Sequence, residues 1–318
     1  MIAALGSGVA VAAVHDVRDM SATVTGIALN LAALLFFVTM DTTGKLLAAN
    51  YPVAQLAFVR FVFHVLFVAL AIRLLTGSIP WRTKALGMQM VRSLCLVVSS
   101  LFFISGLVYL PLADATAVGF ASPMLTVALA AVLLGEKVGP RRWAGVTIGL
   151  VGVLVALRPP FLTGGPLPHW SILLPLANAV FYALYQILTR KLAAIDDPRT
   201  TILYTGVAGA LMLALVQPFI WQWPGTSGPL PAGWVWFGLI ALGFLGASGH
   251  GLLVLAFSRV QASLLAPIAY TQLIWATLAS ALVFGHMPDR FTLIGAAIIA
   301  LGGVLVAWPQ RPRQEASP

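Results

Sequence analysis

Charge is what this sequence has least of: Asp, Glu, Lys and Arg make up 8% of its 318 residues. A soluble domain carries roughly a quarter of its residues charged, so that class is excluded. Carboxylates are scarcer still, nine in all, and only Asp41 and Asp114 fall near an apolar run. That leaves no pair of intramembrane carboxylates for acid–base work, and there is no HExxH pair or other plausible metal cluster. A GxxxxGK[ST] loop is also missing, so the chain does not hydrolyse ATP itself. One cysteine, Cys95, excludes an intrachain disulfide. No cofactor is implied by any of this.

What is present is apolar. Residues of the hydrophobic class make up 60% of the chain and the mean hydropathy is +0.98. A helix needs about 20 apolar residues to cross some 30 Å of hydrocarbon. Ten segments qualify in this reading, near 23–48, 53–75, 86–109, 112–134, 143–157, 170–192, 200–221, 234–257, 262–284 and 291–308. The expected fold class is therefore all-α and integral to the membrane, with ten transmembrane helices. The net charge of +9 resides in the short connections, which is a topology signal and not a face for nucleic acid. With the N-terminus inside, inner segments hold thirteen Lys and Arg and outer segments hold three, Lys45, Arg158 and Arg290. Both termini are thus expected to be cytoplasmic, in a bacterial-type inner membrane. Residues 1–20 read as a tail preceding an alternative start at Met20, and 310–318 as a disordered tail.

The stretch from Leu112 to Pro159 occurs twice. Shifted by 150 residues, Gly135 falls on Gly285, Gly145 on Gly295, Gly152 on Gly302 and Pro159 on Pro309. Residues 21–158 and 159–309 then form two repeats of five spans each. An odd number of spans turns the second repeat upside down, so the repeats have inverted topology. Inverted repeats are the architecture of alternating-access transporters, with substrate held near the midplane where the repeats meet.

The unit around Leu134-Gly135-Glu136-Lys137, with Pro111-Leu112, Pro123, Gly145 and Gly152, resembles the EamA module of the drug/metabolite transporter superfamily. The resemblance runs from about Met20 to Pro309 as two modules, although the second copy reads Gly285-His286-Met287. It implies ten helices around a central cavity lined by the third, fourth, eighth and ninth, with parts of the first and sixth. Asp41-Thr42-Thr43-Gly44-Lys45 and Val59-Arg60-Phe61 further resemble carriers of riboflavin or S-adenosylmethionine. Other members implied by the resemblance export amino acids or drug-like compounds.

Ionisable groups inside spans cost at least about 2.5 kcal/mol each on insertion scales, so each needs a reason. Asp41 and Arg60 are read either as an outer gate or substrate contact, or as a structural ion pair between the first two spans, and His64, on the Arg60 face, is read as a further contact or gate. Arg92 is read as snorkelling to the inner surface. Asn178, Tyr182 and Tyr185 on the sixth span, with Gln186 beside them, and Tyr270, Gln272 and Trp275 on the ninth suggest a cavity for a flat polar solute. Phe120 and Ser122 are the repeat partners of Tyr270 and Gln272. Interhelical hydrogen bonding is the competing reading for these polar groups. His250 alone is not read as cavity lining. Gly145 and Gly149 form a GxxxG that packs either inside the bundle or between protomers of a homodimer. The sequence leaves proton coupling open, with Asp41 first and His64 second as proton carriers. A secondary transporter of a small molecule in the lipid bilayer is the leading class; an intramembrane enzyme and a fixed channel are the alternatives.

Overall fold

A computed structural model describes residues 3–133, 135, 138–157, 170–257, 259, 265 and 268–307, with side-chain environments from Thr23 onward except at 157, 257 and 307. The Glu136–Lys137 turn, Pro267 and the tail expected at 310–318 lie outside the described residues. The helices are α1 (Ala3–Ala48), α2 (Val53–Thr76), α3 (Leu86–Tyr109), α4 (Leu112–Gly119), α5 (Ser122–Leu133) and α6 (Pro140–Leu157). They continue with α7 (Leu173–Leu192), α8 (Pro198–Ala214), the single turn α9 (Gln217–Ile220), α10 (Ala232–Phe257), α11 (Gln272–Phe284) and α12 (Arg290–Ala307).

Among the described residues, six helical stretches are long and apolar enough to cross a membrane: Thr23–Ala48, Val53–Thr76, Leu86–Tyr109, Leu112–Leu133, Trp170–Leu192 and Ala232–Ala256. Residues expected in the fifth, seventh, ninth and tenth spans form the shorter helices α6, α8, α11 and α12. The molecule is an all-helical membrane protein whose exterior is apolar as well as its core. Leu66, Leu211, Phe219, Phe237 and Leu282 lie exposed, while Asn30, Gln55, Gln89, Ser93, Ser99, Thr200 and Thr205 are buried. An outer face of leucine and phenylalanine needs hydrocarbon around it, and interior polar groups find each other across helices.

The fourth span breaks. α4 ends at Gly119, Phe120 and Ala121 form a turn, and α5 begins at Ser122. The repeat partners behave alike, since Tyr270 and Thr271 form a turn immediately before α11. Pro123 falls inside the fourth expected span. It stands in the first turn of α5, where its missing N–H leaves no acceptor unsatisfied. Gly135 and Gly285, the glycines that closed the apolar runs in the sequence, both take positive φ, 65° and 67°. Gly285 caps α11 by donating its N–H to the Ala281 and Ser280 carbonyls, a left-handed cap that any side chain would strain.

Three pairings organise the bundle: α1 on α10, α3 on α7, and α6 on α12. The last has the closest backbones. A Cβ on Gly145 would stand 2.7 Å from the Gly302 carbonyl oxygen, and one on Gly152 would stand 2.7 Å from Ile299 N and 2.8 Å from the Gly295 oxygen. As α6 advances from 145 to 152 its neighbour falls from 302 to 295, so the two helices cross antiparallel. Because Gly145 matches Gly295 and Gly152 matches Gly302, each glycine meets the partner of the other. The GxxxG face of α6 is therefore filled within the chain, by α12 and, at Gly149, by Met124.

Both ends of the bundle are tied by hydrogen bonds. At one end the Gln55 amide donates to the Gln222 carbonyl (2.7 Å) and its oxygen accepts from Gln222 N–H (2.9 Å). Gly225 N–H donates to the Tyr51 hydroxyl at 2.9 Å. At the other end the Asp196 carboxylate accepts from the Thr83 hydroxyl, Lys84 N–H (2.9 Å) and the Gln89 amide (2.9 Å). Each tie joins the first connection of one duplicated half to the second connection of the other, or to a helix adjoining it.

Candidate functional site

Asp41 and Arg60 face one small cavity. Its walls are Met40, Asp41 and Gly44 of α1, Arg60 of α2, Ile104 and Leu107 of α3, and Leu242 of α10. The space admits about one water molecule. A pocket that encloses a metabolite runs to several hundred Å³, so the site is shut in this conformation. Arg60 donates from Nη2 to the Ser100 hydroxyl at 2.6 Å and lies 4.9 Å from the Phe61 ring centroid. Lys45, four residues beyond Asp41, turns elsewhere. Its ammonium donates to the Leu107 carbonyl and to Leu110 O (2.6 Å), closing the C-terminal end of α3 where a cation suits the helix dipole.

One turn along α2 from Arg60, His64 is 7% exposed and its Nε2 has no hydrogen-bond partner among the described residues. Its ring meets His250 of α10 edge to face, centroids 6.1 Å apart, and His250 in turn meets Phe37 of α1 at 5.0 Å. Sequence reasoning gave His250 no place in a site, since a lone histidine on an apolar helix has no pattern to announce it. It nonetheless stands between the rings of His64 and Phe37.

On α7 the residues singled out do share a face, turned toward α3. The Asn178 side-chain oxygen accepts from Ser99 at 2.7 Å, and Tyr182 stacks on Tyr185 with centroids 5.6 Å apart. Arg92 corrects the expectation that it reaches the surface. It is 2% exposed. Its Nε donates to Thr189 (2.7 Å), Nη1 to the Thr201 carbonyl (3.2 Å) and Thr205 hydroxyl (2.5 Å), and Nη2 to the Tyr185 hydroxyl (2.8 Å). The guanidinium carbon lies 4.4 Å from the Tyr185 ring centroid. Ser99, Ser100, Thr189, Thr201 and Thr205 were missed. They are ordinary residues in sequence and become a polar seam only when α3, α7 and α8 come together.

The residues at the helix breaks form a separate group. Phe120 packs on Tyr270, centroids 5.3 Å apart, amid Met124, Val153, Leu273 and Ile299. The Tyr270 ring lies against Gly303 of α12, and its hydroxyl has no partner among the described residues. Ser122 is buried at the start of α5, and Gln272 opens α11. Trp275 packs with Val38, Leu107, Leu112 and Ala276, between α1, α3 and α4. Phe120 and Tyr270 thus join an apolar cluster distinct from the one beside Asp41 and Arg60.

Comparison with known proteins places this geometry. The EamA-like transporter family matches residues 24–158 and again 169–308. The chain belongs to that family. An EamA protein of this kind is a transporter and not an enzyme. Among curated relatives of the transporter, an S-adenosylmethionine uptake transporter of Rickettsia prowazekii is 27% identical over 289 residues, covering 90% of this chain and 93% of its own. A riboflavin transporter of Rhizobium johnstonii is 29% identical over 296 residues, 90% of each chain. An uncharacterized transporter of Helicobacter pylori is 28% identical, covering 89% and 95%. A crystal structure 23% identical superposes with a TM-score of 0.61 over 90% of this chain and 96% of that one, which extends the likeness to the fold.

Proposed function

We propose that this EamA transporter is a secondary carrier that moves a small polar metabolite across the inner membrane by alternating access. The observation that carries the reading is the Asp41–Arg60 cavity, where ionisable side chains of the first half meet α10 of the second around a space that closes to about one water. Buried ionisable groups in a bundle interior mark solute pathways, and a site that can shut entirely suits a carrier better than a fixed pore.

The antiparallel, partner-exchanged crossing of α6 and α12 supports two five-helix repeats of inverted topology. The excess of Lys and Arg on one set of connections supports cytoplasmic termini. For the cargo we propose a vitamin or nucleoside-like heteroaromatic, riboflavin or S-adenosylmethionine, the solutes named for relatives that match nine-tenths of the chain. Export of amino acids or drug-like compounds is the second reading. Asp41, Arg60 and His64 act as contact or gate, with Asn178, Tyr182 and Tyr185 along the path.

The test is accumulation of labelled riboflavin, S-adenosylmethionine, aromatic amino acids and a cationic dye in cells making this protein or its Arg60→Ala variant. Uptake of one solute, lost in the variant at unchanged membrane expression, is expected. Lowered retention would favour the exporter. Transport unaffected by the variant would remove Arg60 from the site.

A further inference from the structure

Arg92 poses a question that the Asp41–Arg60 cavity does not answer. It is a permanently charged side chain, 2% exposed, on a helix that crosses the bundle. Its polar shell consists of the Thr189, Thr205 and Tyr185 hydroxyls and the Thr201 carbonyl, all neutral. No carboxylate stands within ion-pair distance of it among the described residues. Of the nine acidic residues only Asp41 and Asp114 occur in spans. Asp41 shares its cavity with Arg60, and Asp114 opens α4.

Buried charges are ordinarily paired, because removal from water costs more than neutral dipoles return. Arginine binds best to an oxyanion through its planar fork, and neutral hydroxyls are weaker acceptors that an anion readily replaces. The four bonds to protein use four of its five N–H groups. Arg92 also lies where the halves meet, on α3 of the first, with partners on α7 and α8 of the second. Its guanidinium covers the Tyr185 ring, which stacks on Tyr182. A cation beside a pair of aromatic planes is built for a solute that is flat at one end and acidic at the other.

We propose that Arg92 is the counter-charge for an oxyanionic group, carboxylate or phosphate, on the transported solute, whose aromatic part lies on the Tyr182–Tyr185 pair. This rests on the carrier reading above and names the charge class of its cargo. Among the described residues of the spans that are not exposed, Lys45, Arg60 and Arg92 stand against Asp41 and Asp114, so the unfilled charge requirement is one negative group.

The purified full chain in proteoliposomes tests this with probe pairs that differ by one acidic group. These are tryptophan and tryptamine, S-adenosylmethionine and its decarboxylated form, and riboflavin monophosphate and riboflavin. Thermal stabilisation of the purified protein and inhibition of counterflow are read for each. At least tenfold tighter action of an acid-bearing member is expected, and Arg92→Gln should abolish that difference. The first two pairs report a carboxylate and the third a phosphate. The preference in the unaltered protein stands whether or not the variant folds.

Equal action within every pair, or preference for the uncharged member, overturns the inference, as does a preference that survives in folded Arg92→Gln. Transport of riboflavin or tryptamine in preference to the acids would reject it while leaving the carrier reading intact. Acid-selective binding without transport of any probe would instead support the Arg92 site and count against the carrier reading.

Discussion

Phe120 and Tyr270 occupy the same position in the two halves of the chain, and they touch, ring centroids 5.3 Å apart. Equivalent residues of a duplicated protein meet only where the axis relating the halves passes between them. On the inverted-repeat proposal, that axis runs through the helix breaks, beside the antiparallel crossing of α6 and α12. The Tyr270 hydroxyl is buried without a partner among the described residues, so it contributes desolvation and no bond. Tyr270→Phe is expected to leave yield and melting temperature unchanged or slightly raised. Tyr270→Ala should cost about 3–5 kcal/mol, the range for removing a large aromatic from a packed core. Thermal melts of the purified variants check both.

At Gly145, Gly152, Gly295 and Gly302 the α6–α12 seam admits no side chain. Gly302→Val would set a Cβ 2.6 Å from the Gly145 carbonyl oxygen, and overpacking of that kind costs roughly 1–3 kcal/mol or more. Loss of monodisperse protein on size exclusion is expected. Gly251→Ala, whose Cβ meets nothing within 4 Å, is the control and should behave as the parent.

Asp196 titrates in a connection outside the spans. Desolvation pushes its carboxyl upward, but the Lys84 N–H and the Thr83 and Gln89 side chains together outweigh that and hold it below the ordinary carboxylate value. A folded-state pKa below the unfolded one means the tie's contribution is fully present above the unfolded value of about 3.9 and is lost as pH falls through the folded value. Stability should thus be flat in this respect from neutral pH to about 5 and decline below about 4. Asp196→Asn should lower the neutral-pH melting temperature and remove that part of the acid dependence. An unchanged acid limb in the variant would show that other groups set it.

The tie at the opposite end is neutral. Gln55→Ala strands the Gln222 N–H and carbonyl, each previously paired with Gln55, and should cost about 1–3 kcal/mol of end closure. Cys95 is the single cysteine and is buried, so Cys95→Ser gives a background for one engineered thiol. Gly44→Cys lines the Asp41–Arg60 cavity and meets nothing nearer than Leu242 Cδ2, at 3.8 Å. Labelling of that thiol by a membrane-impermeant maleimide is expected to be several-fold faster with Gln55→Ala. An equal rate would mean that Gln55 does not hold this end shut.

The duplication, the glycines at 135 and 285 and the correspondence of Gly145 with Gly295 and Gly152 with Gly302 were legible because backbone demands leave the same residue at the same offset. The break at Phe120 was half legible: Pro123 marked the place, but proline also starts helices, and only the fold distinguishes the two. Arg92 was misread because its shell comes from residues about a hundred positions away, 97 to Thr189 and 113 to Thr205. Threonines scattered through apolar helices carry no spacing signal. Asn178, Tyr182 and Tyr185 were legible as one face of α7 since helical periodicity reports a shared face, whereas the helix opposite that face is a tertiary fact.

The two end ties are not of equal strength. One is anchored by an ionised carboxylate with three donors, the other by a neutral amide with two backbone partners and a nearby tyrosine. Charge-assisted bonds are roughly twice as strong as neutral ones. For a carrier that alternates, this tilts the empty molecule: with no solute aboard, the Gln55 end parts more readily than the Asp196 end. On the alternating-access proposal, the duplicated halves thus give the carrier a resting orientation, a polarity that a perfectly symmetrical pair of repeats would not possess.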